Sequence, residues 1–161
     1  MLTKMDEYLI HQTYSTFDHV VDSDPRWFDR YWFLVHDTTG HLAMGQGMGV
    51  YPNMSVVDGW AIVRLGDKQF NLRVSRDLQH DRENMTLGPL CAEIVEPLKR
   101  WRLVLADNPY GFSYDLEFEG LAPPAELTPP AFRRFHNIVE SNMCHYNQTG
   151  HCHGKVIVEG K

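Results

Sequence analysis

Alternation between apolar and polar positions dominates the chain from residue 31 onward. The clearest case is residues 112–119, where Phe112, Tyr114, Leu116 and Phe118 fall on one side and Ser113, Asp115, Glu117 and Glu119 on the other. A period of two over eight residues predicts a strand with one face on a core and one in water. Three acids at alternate positions argue against a strand covered on both faces and favour antiparallel sheet. Its predicted partner is Trp101 to Ala106, reached through Asp107-Asn108-Pro109-Tyr110-Gly111, a stretch of turn formers. Residues 69–76 repeat the pattern: Phe70, Leu72 and Val74 share one face, and Gln69, Asn71, Arg73 and Ser75 the other.

Tyr31-Trp32-Phe33-Leu34-Val35 is an aromatic and branched run, and Asp37-Thr38-Thr39-Gly40 reads as a hairpin connection into a strand beginning at His41. Leu65-Gly66-Asp67-Lys68 is a second turn. Residues 4–20 form a weak helical or irregular arm, and Asp24-Pro25 offers a cap and first helical position before a short turn through Trp27 and Phe28. Between Ala122 and Pro130 four prolines remove ladder donors, which predicts a loop or crossing strap. Asn142 to Glu159 reads as a last hairpin turning near Gln148-Thr149-Gly150, with Tyr146 opposite His151.

With no helical run long enough for βα crossovers, these strands predict a mainly β, antiparallel fold. The expected form is a calycin- or lipocalin-like barrel or a strongly curved β-sandwich over residues 1–161, with 1–30 as an amino-terminal arm. The branched run Val156-Ile157-Val158 near the end of the chain makes an edge that invites another strand. It would close a barrel, pair with a second subunit in a homodimer, or meet the other half of a two-domain protein.

Composition narrows the partners. The formal net charge is −6, and Lys and Arg occur singly or in short pairs such as Lys99-Arg100 and Arg133-Arg134. Nucleic acid is therefore not an expected partner, because phosphate binding needs clustered positive charge. No stretch of about 18 apolar residues exists, so no membrane-spanning helix is expected. Cys91, Cys144 and Cys152 are too few and odd in number for a disulfide framework, and no signal peptide precedes them. A cytoplasmic location is the simpler reading. The triplets at Asn53, Asn84 and Asn147 match the glycosylation pattern, but without a secretory signal they carry little meaning.

Several segments carry a family resemblance: His11-Gln12, Thr16-Phe17, Ser23-Asp24-Pro25-Arg26-Trp27, Val57-Asp58-Gly59-Trp60-Ala61, and Pro97-Leu98-Lys99-Arg100-Trp101-Arg102. Asn108 through Gly120, and Asn147-Gln148-Thr149-Gly150 with Gly154, extend it. Together they resemble the amino-terminal half of a lipocalin-like superfamily that groups AttH-like proteins with carotenoid hydratases of the hydroxyneurosporene-synthase type. The resemblance implies two consecutive calycin-like domains in full-length members, with apolar ligands or substrates held in a cavity.

Candidate chemistry follows from both lines. Gly45, Gly47 and Gly49 leave one face of a strand bare, with Met44, Gln46, Met48 and Val50 opposite. A bare strip admits a large packed side chain, a bend, or a ligand. Asp58, Trp60, Ile62 and Arg64 share one face of the next strand, and a carboxylate beside an indole is a candidate general acid. Its plain alternative is an Asp paired with Arg64. Cys144, His151 and His153 are the densest metal-capable set, but their spacing departs from paired Cys-x₂-Cys sites. No metal or cofactor is assigned, and no nucleophile triad or nucleotide loop is present.

The expected function is binding of a small apolar or amphipathic molecule in a barrel-type cavity. Its candidate wall is Met44, Met48, Trp60, Phe70, Arg76, Trp101 and Tyr114. One alternative is a cofactor-free hydratase, lyase or isomerase using Asp58 and His11 as acid–base groups. The other is a noncatalytic β-sheet interaction module with its last strand paired across an interface.

Overall fold

The computed structural model describes residues 4–9, 19–20, 23–79, 81–127, 131–136 and 138–160. After a 3-10 turn at Lys4–Glu7, thirteen strands follow. They are β1 (Asp29–His36), β2 (Leu42–Tyr51), β3 (Val56–Leu65), β4 (Lys68–Asp77), β5 (Thr86–Leu87), β6 (Leu90–Glu96) and β7 (Arg100–Leu105). Then come β8 (Phe112–Gly120), β9 (Ala125–Glu126), β10 (Ala131–Phe135), β11 (Ile138–Met143), β12 (Tyr146–Asn147) and β13 (Gly150–Val158).

The first four strands make a meander in the order β1-β2-β3-β4, and a second sheet runs β13-β8-β7-β6-β5. Two short ribbons, β10-β11 and β12-β9, complete the described strands. All of these pairs are antiparallel. The expected barrel or strongly curved sandwich does not form: the sheets stay open, and none closes or curls strongly. The reason lies in the connections. Each large sheet is built from tight local hairpins, and β13 returns to β8 instead of continuing to the free edge at β1 or β4.

The two large sheets meet through their inner faces. Met44, Met48, Val50, Val57, Ala61, Val63 and Leu72 come from the first, and Leu90, Trp101, Leu103, Leu105, Tyr114 and Leu116 from the second. Gly59 sets the closest approach, since a Cβ there would lie 2.8 Å from a Leu90 methyl. At one end Trp101 packs against Tyr31 and Phe33, with ring centroids 5.1 and 5.4 Å apart, and Phe33 continues onto Phe118 at 5.2 Å. Aromatic side chains fill this end of the interior as ordinary packing, in tilted and edge-on pairs.

Gln46 is the polar group in the middle of this core. It is fully buried, accepts a hydrogen bond from the Tyr114 hydroxyl at 2.8 Å, and donates to the Cys91 carbonyl at 3.0 Å. It therefore ties β2 of one sheet to β6 and β8 of the other, which satisfies its polar atoms without water.

Strands 101–105 and 112–120 pair as their alternation predicts, with Trp101 opposite Phe118 and Leu105 opposite Tyr114. The last hairpin differs. Tyr146 pairs with Glu126 and Asn147 with Ala125, while His151 lies opposite Glu119 and His153 opposite Glu117. The four prolines thus leave room for a two-residue ladder between them, and that ladder takes β12 away from β13. Asp24-Pro25 starts a turn without a helix: the Asp24 carboxylate accepts from the Arg26 amide at 2.8 Å. Among the described residues no helix is long and apolar enough to cross a membrane.

Candidate functional site: the outer face of the four-stranded sheet

The expected barrel-type cavity for a small apolar molecule is absent, and the hydratase, lyase or isomerase alternative, which needs a water-restricted pocket, falls with it. Met44, Met48, Trp101 and Tyr114 are buried in the solid core, and Phe70 is half-buried at its margin. Trp60 is on the opposite side of the sheet from Met44 and Met48, so one pocket cannot use all three. Arg76 ends β4 and donates to the carbonyls of Asp77 and Asn84 at 3.1 Å each, which secures the following loop. Asp58 is exposed, and His11 lies outside the described residues. A shallow depression of about 200 Å³ is lined by Asp107, Asn108, Gly111, Phe112, Ser113, Ile157 and Gly160. None of the expected ligand residues borders it.

Cys144 and the two histidines do not gather either. Among the described residues no group of three or more His, Cys, Asp or Glu side chains is placed to hold a metal. His151 and His153 are exposed on the outer face of the second sheet beside Glu119 and Glu117.

Register places four full rows on the outer face of the first sheet, Arg30-Gly49-Asp58-Ser75, Trp32-Gly47-Trp60-Arg73, Leu34-Gly45-Ile62-Asn71 and His36-Ala43-Arg64-Gln69, and a fifth, Tyr51-Val56-Asp77, across β2 to β4. The glycine strip is the floor on which the Trp60 indole lies. A Cβ at Gly47 would be 2.7 Å from the indole Nε1, and one at Gly45 would be 2.9 Å from Cζ3 and 3.1 Å from a Leu34 methyl. Of the readings open for that strip, the packed large side chain is the one observed. Beside the indole, Trp32 is 59% exposed and Leu34 69% exposed.

The margin of this apolar strip is polar and mainly basic. At the Gly49 end, the Tyr51 hydroxyl occupies the space where a Cβ would stand, 3.0 Å away. Burial raises the Tyr51 pKa first; the Asp58 charge adds to the rise and Arg30 opposes it. Asp58 is therefore engaged with a phenol at an open edge. The Arg30 guanidinium lies 4.3 Å from the centre of the Phe28 ring, a cation–π contact that holds it at this end. Arg73 and Arg64 complete three arginines to two aspartates, Asp58 and Asp77, on this face.

Sequence reasoning reached Trp60, Asp58 and the glycines but missed Trp32, Leu34, Arg30 and Arg73 as members of the same face. The run from Tyr31 to Val35 is apolar at every position, so its alternation carries no sign of which residues turn outward. The signal that finds them is the row register itself.

The family model that matches this chain covers residues 2–161 and is described as a family of unknown function (DUF8625), and the chain belongs to that family. No curated protein matches it, and no solved structure does.

Proposed function

We propose, with membership of a family of unknown function as the premise, that this protein is a binding module. It docks an acidic protein segment with apolar anchor residues on the outer face of β1–β4. The observation behind the reading is the exposed Trp32–Leu34 pair beside a Trp60 indole laid on glycine, with arginines at the margin. Two such side chains leave on the order of 200–300 Å² of apolar surface in water, just under the size of the largest apolar patch on a typical monomer, to which the half-buried Trp60 and Ile62 add.

The chemistry of the face selects the partner. Three arginines and two aspartates surround it in a chain whose net charge is −6, so local charge favours an acidic partner against the background of the whole molecule. Leu34 and Ile62, in the row beside the two indoles, have no π face on which a base would stack, and that part of the face favours an apolar side chain over a nucleotide.

The test is selection from a random peptide library displayed on phage, against the wild-type chain and a W32A/L34A variant. Wild type is expected to enrich peptides that combine acidic residues with an apolar anchor, the variant to lose them, and added salt to weaken binding. No enrichment, or enrichment indifferent to W32A/L34A, removes the proposal. Trp32-dependent binding of a single-stranded RNA 15-mer with no peptide enrichment would replace it with nucleic-acid recognition.

A further inference from the structure

The short segment Lys4–Leu9 pairs with no strand among the described residues, yet Glu7 and Leu9 are buried. One oxygen of the Glu7 carboxylate accepts from the Trp101 indole N–H, and the other accepts from the Leu98 backbone N–H. Both donors are held from elsewhere. Tyr31 and Phe33 pack on the Trp101 ring. Leu98 sits at φ +63°, a conformation costly for a branched residue. Its turn is fixed by a Gln148 amide donating to the Leu98 carbonyl at 2.9 Å and by the Lys99 N–H donating to the Glu96 carbonyl at 3.0 Å. Two N–H donors aimed at one carboxyl group by an independently supported turn and ring make a built site for it.

We propose that the Leu98 N–H and Trp101 Nε1–H pair is a preformed receptor for a carboxyl group, and that residues 4–9 are its detachable occupant, a latch over the aromatic end of the core that holds most tightly with that group protonated. Among its described side chains the segment buries Glu7 and Leu9 and makes no ladder, so its hold depends in large part on the state of one carboxyl group.

That state is set by pH. Burial raises the Glu7 pKa above 4.5, and its hydrogen bonds to Trp101 and Leu98 offset part of the rise. The charged groups on the adjoining turn and strand have other partners. Lys99 bridges to Glu96 at 2.6 Å, and Arg100 reaches Glu96 and Glu117 at 3.4 and 3.5 Å. Glu96 is held low by Lys99 and Arg100, and the Tyr31 phenol is driven far upward by burial, so it stays neutral. Because the docked carboxyl keeps its proton to higher pH than the detached one, the docked state is favoured most below 4.5. It weakens as pH rises through the docked pKa and is constant above it. Each pH unit by which the docked midpoint exceeds 4.5 loosens the latch about tenfold.

The experiment is a ¹H–¹⁵N NMR titration of the full chain from pH 4 to 8, following the Trp101 indole and Leu98 amide signals, with hydrogen exchange at Leu98. Both signals are expected to move together with a midpoint above 4.5. Leu98 protection, corrected for intrinsic exchange, should fall on the alkaline side by the factor that the midpoint dictates. E7Q should flatten the titration, and because its amide nitrogen faces one of the two donors it should also lower Leu98 protection. A midpoint at or below 4.5 in wild type, or an unchanged titration in E7Q, overturns the proposal; the wild-type result decides it even where E7Q fails to fold.

Discussion

Substituting Gly47 by Ala probes the glycine floor directly. The added methyl would stand 2.7, 2.8 and 3.0 Å from three atoms of the Trp60 ring, against a carbon contact distance of about 3.5–4.0 Å. A shortfall of roughly 0.7–1 Å cannot be absorbed by a strand paired on both sides, so the indole must lift. A buried aromatic covers about 150–250 Å², and losing about a third of that at ~25 cal/mol per Å² costs about 1.5–2 kcal/mol. Replacing Gly by Ala in a strand returns about 0.5–1 kcal/mol of backbone entropy, which leaves a net loss near 1 kcal/mol.

The sign should reverse once the ring is gone. In a W60A background the three atoms that crowd a Gly47 methyl are gone, and G47A should stabilise by about 0.5–1 kcal/mol. The double-mutant cycle of G47A and W60A, read by urea unfolding with far-UV circular dichroism, is expected to give a coupling of about 1.5–2 kcal/mol. Trp emission in G47A should also move to the red relative to wild type. Equal destabilisation by G47A in both backgrounds would refute the packing argument and, with it, the flat indole at the centre of the proposed docking face.

Other perturbations separate the core from the surface. Q46L should cost about 2–4 kcal/mol in urea unfolding, because the Tyr114 hydroxyl and the Cys91 carbonyl lose their partner; Y114F should cost less, about 1–2 kcal/mol, and adding Y114F to Q46L should recover part of the loss. The Asp115 carboxyl is held below 3.8, first by its hydrogen bonds from Arg102, with Nη2 at 2.7 Å. Any stability it adds is therefore present above 3.8 and lost as pH falls through its lower folded pKa. An NMR titration should show that low midpoint, and R102Q should raise it toward 3.8; an unmoved midpoint would remove the pairing as its cause. Gly154 lies at φ +141°, and a Cβ there would be 2.1 Å from the Asp115 carbonyl oxygen. G154A should cost about 2–3 kcal/mol or more and speed hydrogen exchange across β13, whereas a neutral effect would mean that β13 sits in another register.

The parts of the fold legible in the sequence are those where alternation is two-sided. In β8 the acids mark the wet face, so the buried side and the pairing with β7 could both be read from spacing. Where the middle of a strand is apolar throughout, as at Tyr31–Val35 in β1, or carries glycine on one side, as in β2, the same rule gives a strand without an orientation. Closure was not legible at all. A barrel and two open packed sheets ask for the same inner-face residues, and they differ only in which edge meets which edge. That choice turned on β13 pairing with β8 and not with an edge of the first sheet, which the spacing within each strand does not encode.

The same ambiguity explains how Trp60 came to be grouped with Met44 and Met48 as one wall. In an antiparallel pair, residues in register share a face, so Trp60 belongs with Gly47 and Met48 with Gly59. Once the register is known, a large ring opposite a glycine reads as a side chain resting on bare backbone, and the methionines become core. A ring packed that way has one side against the sheet and the other toward solvent. That outward side, with Trp32 and Leu34 beside it, moves the candidate chemistry from a cavity to a surface. It also changes which mutations are informative. Substitutions at Met44 or Met48 report on folding, whereas Trp32 and Leu34 are exposed enough that their removal should leave stability nearly untouched and still decide whether the face binds.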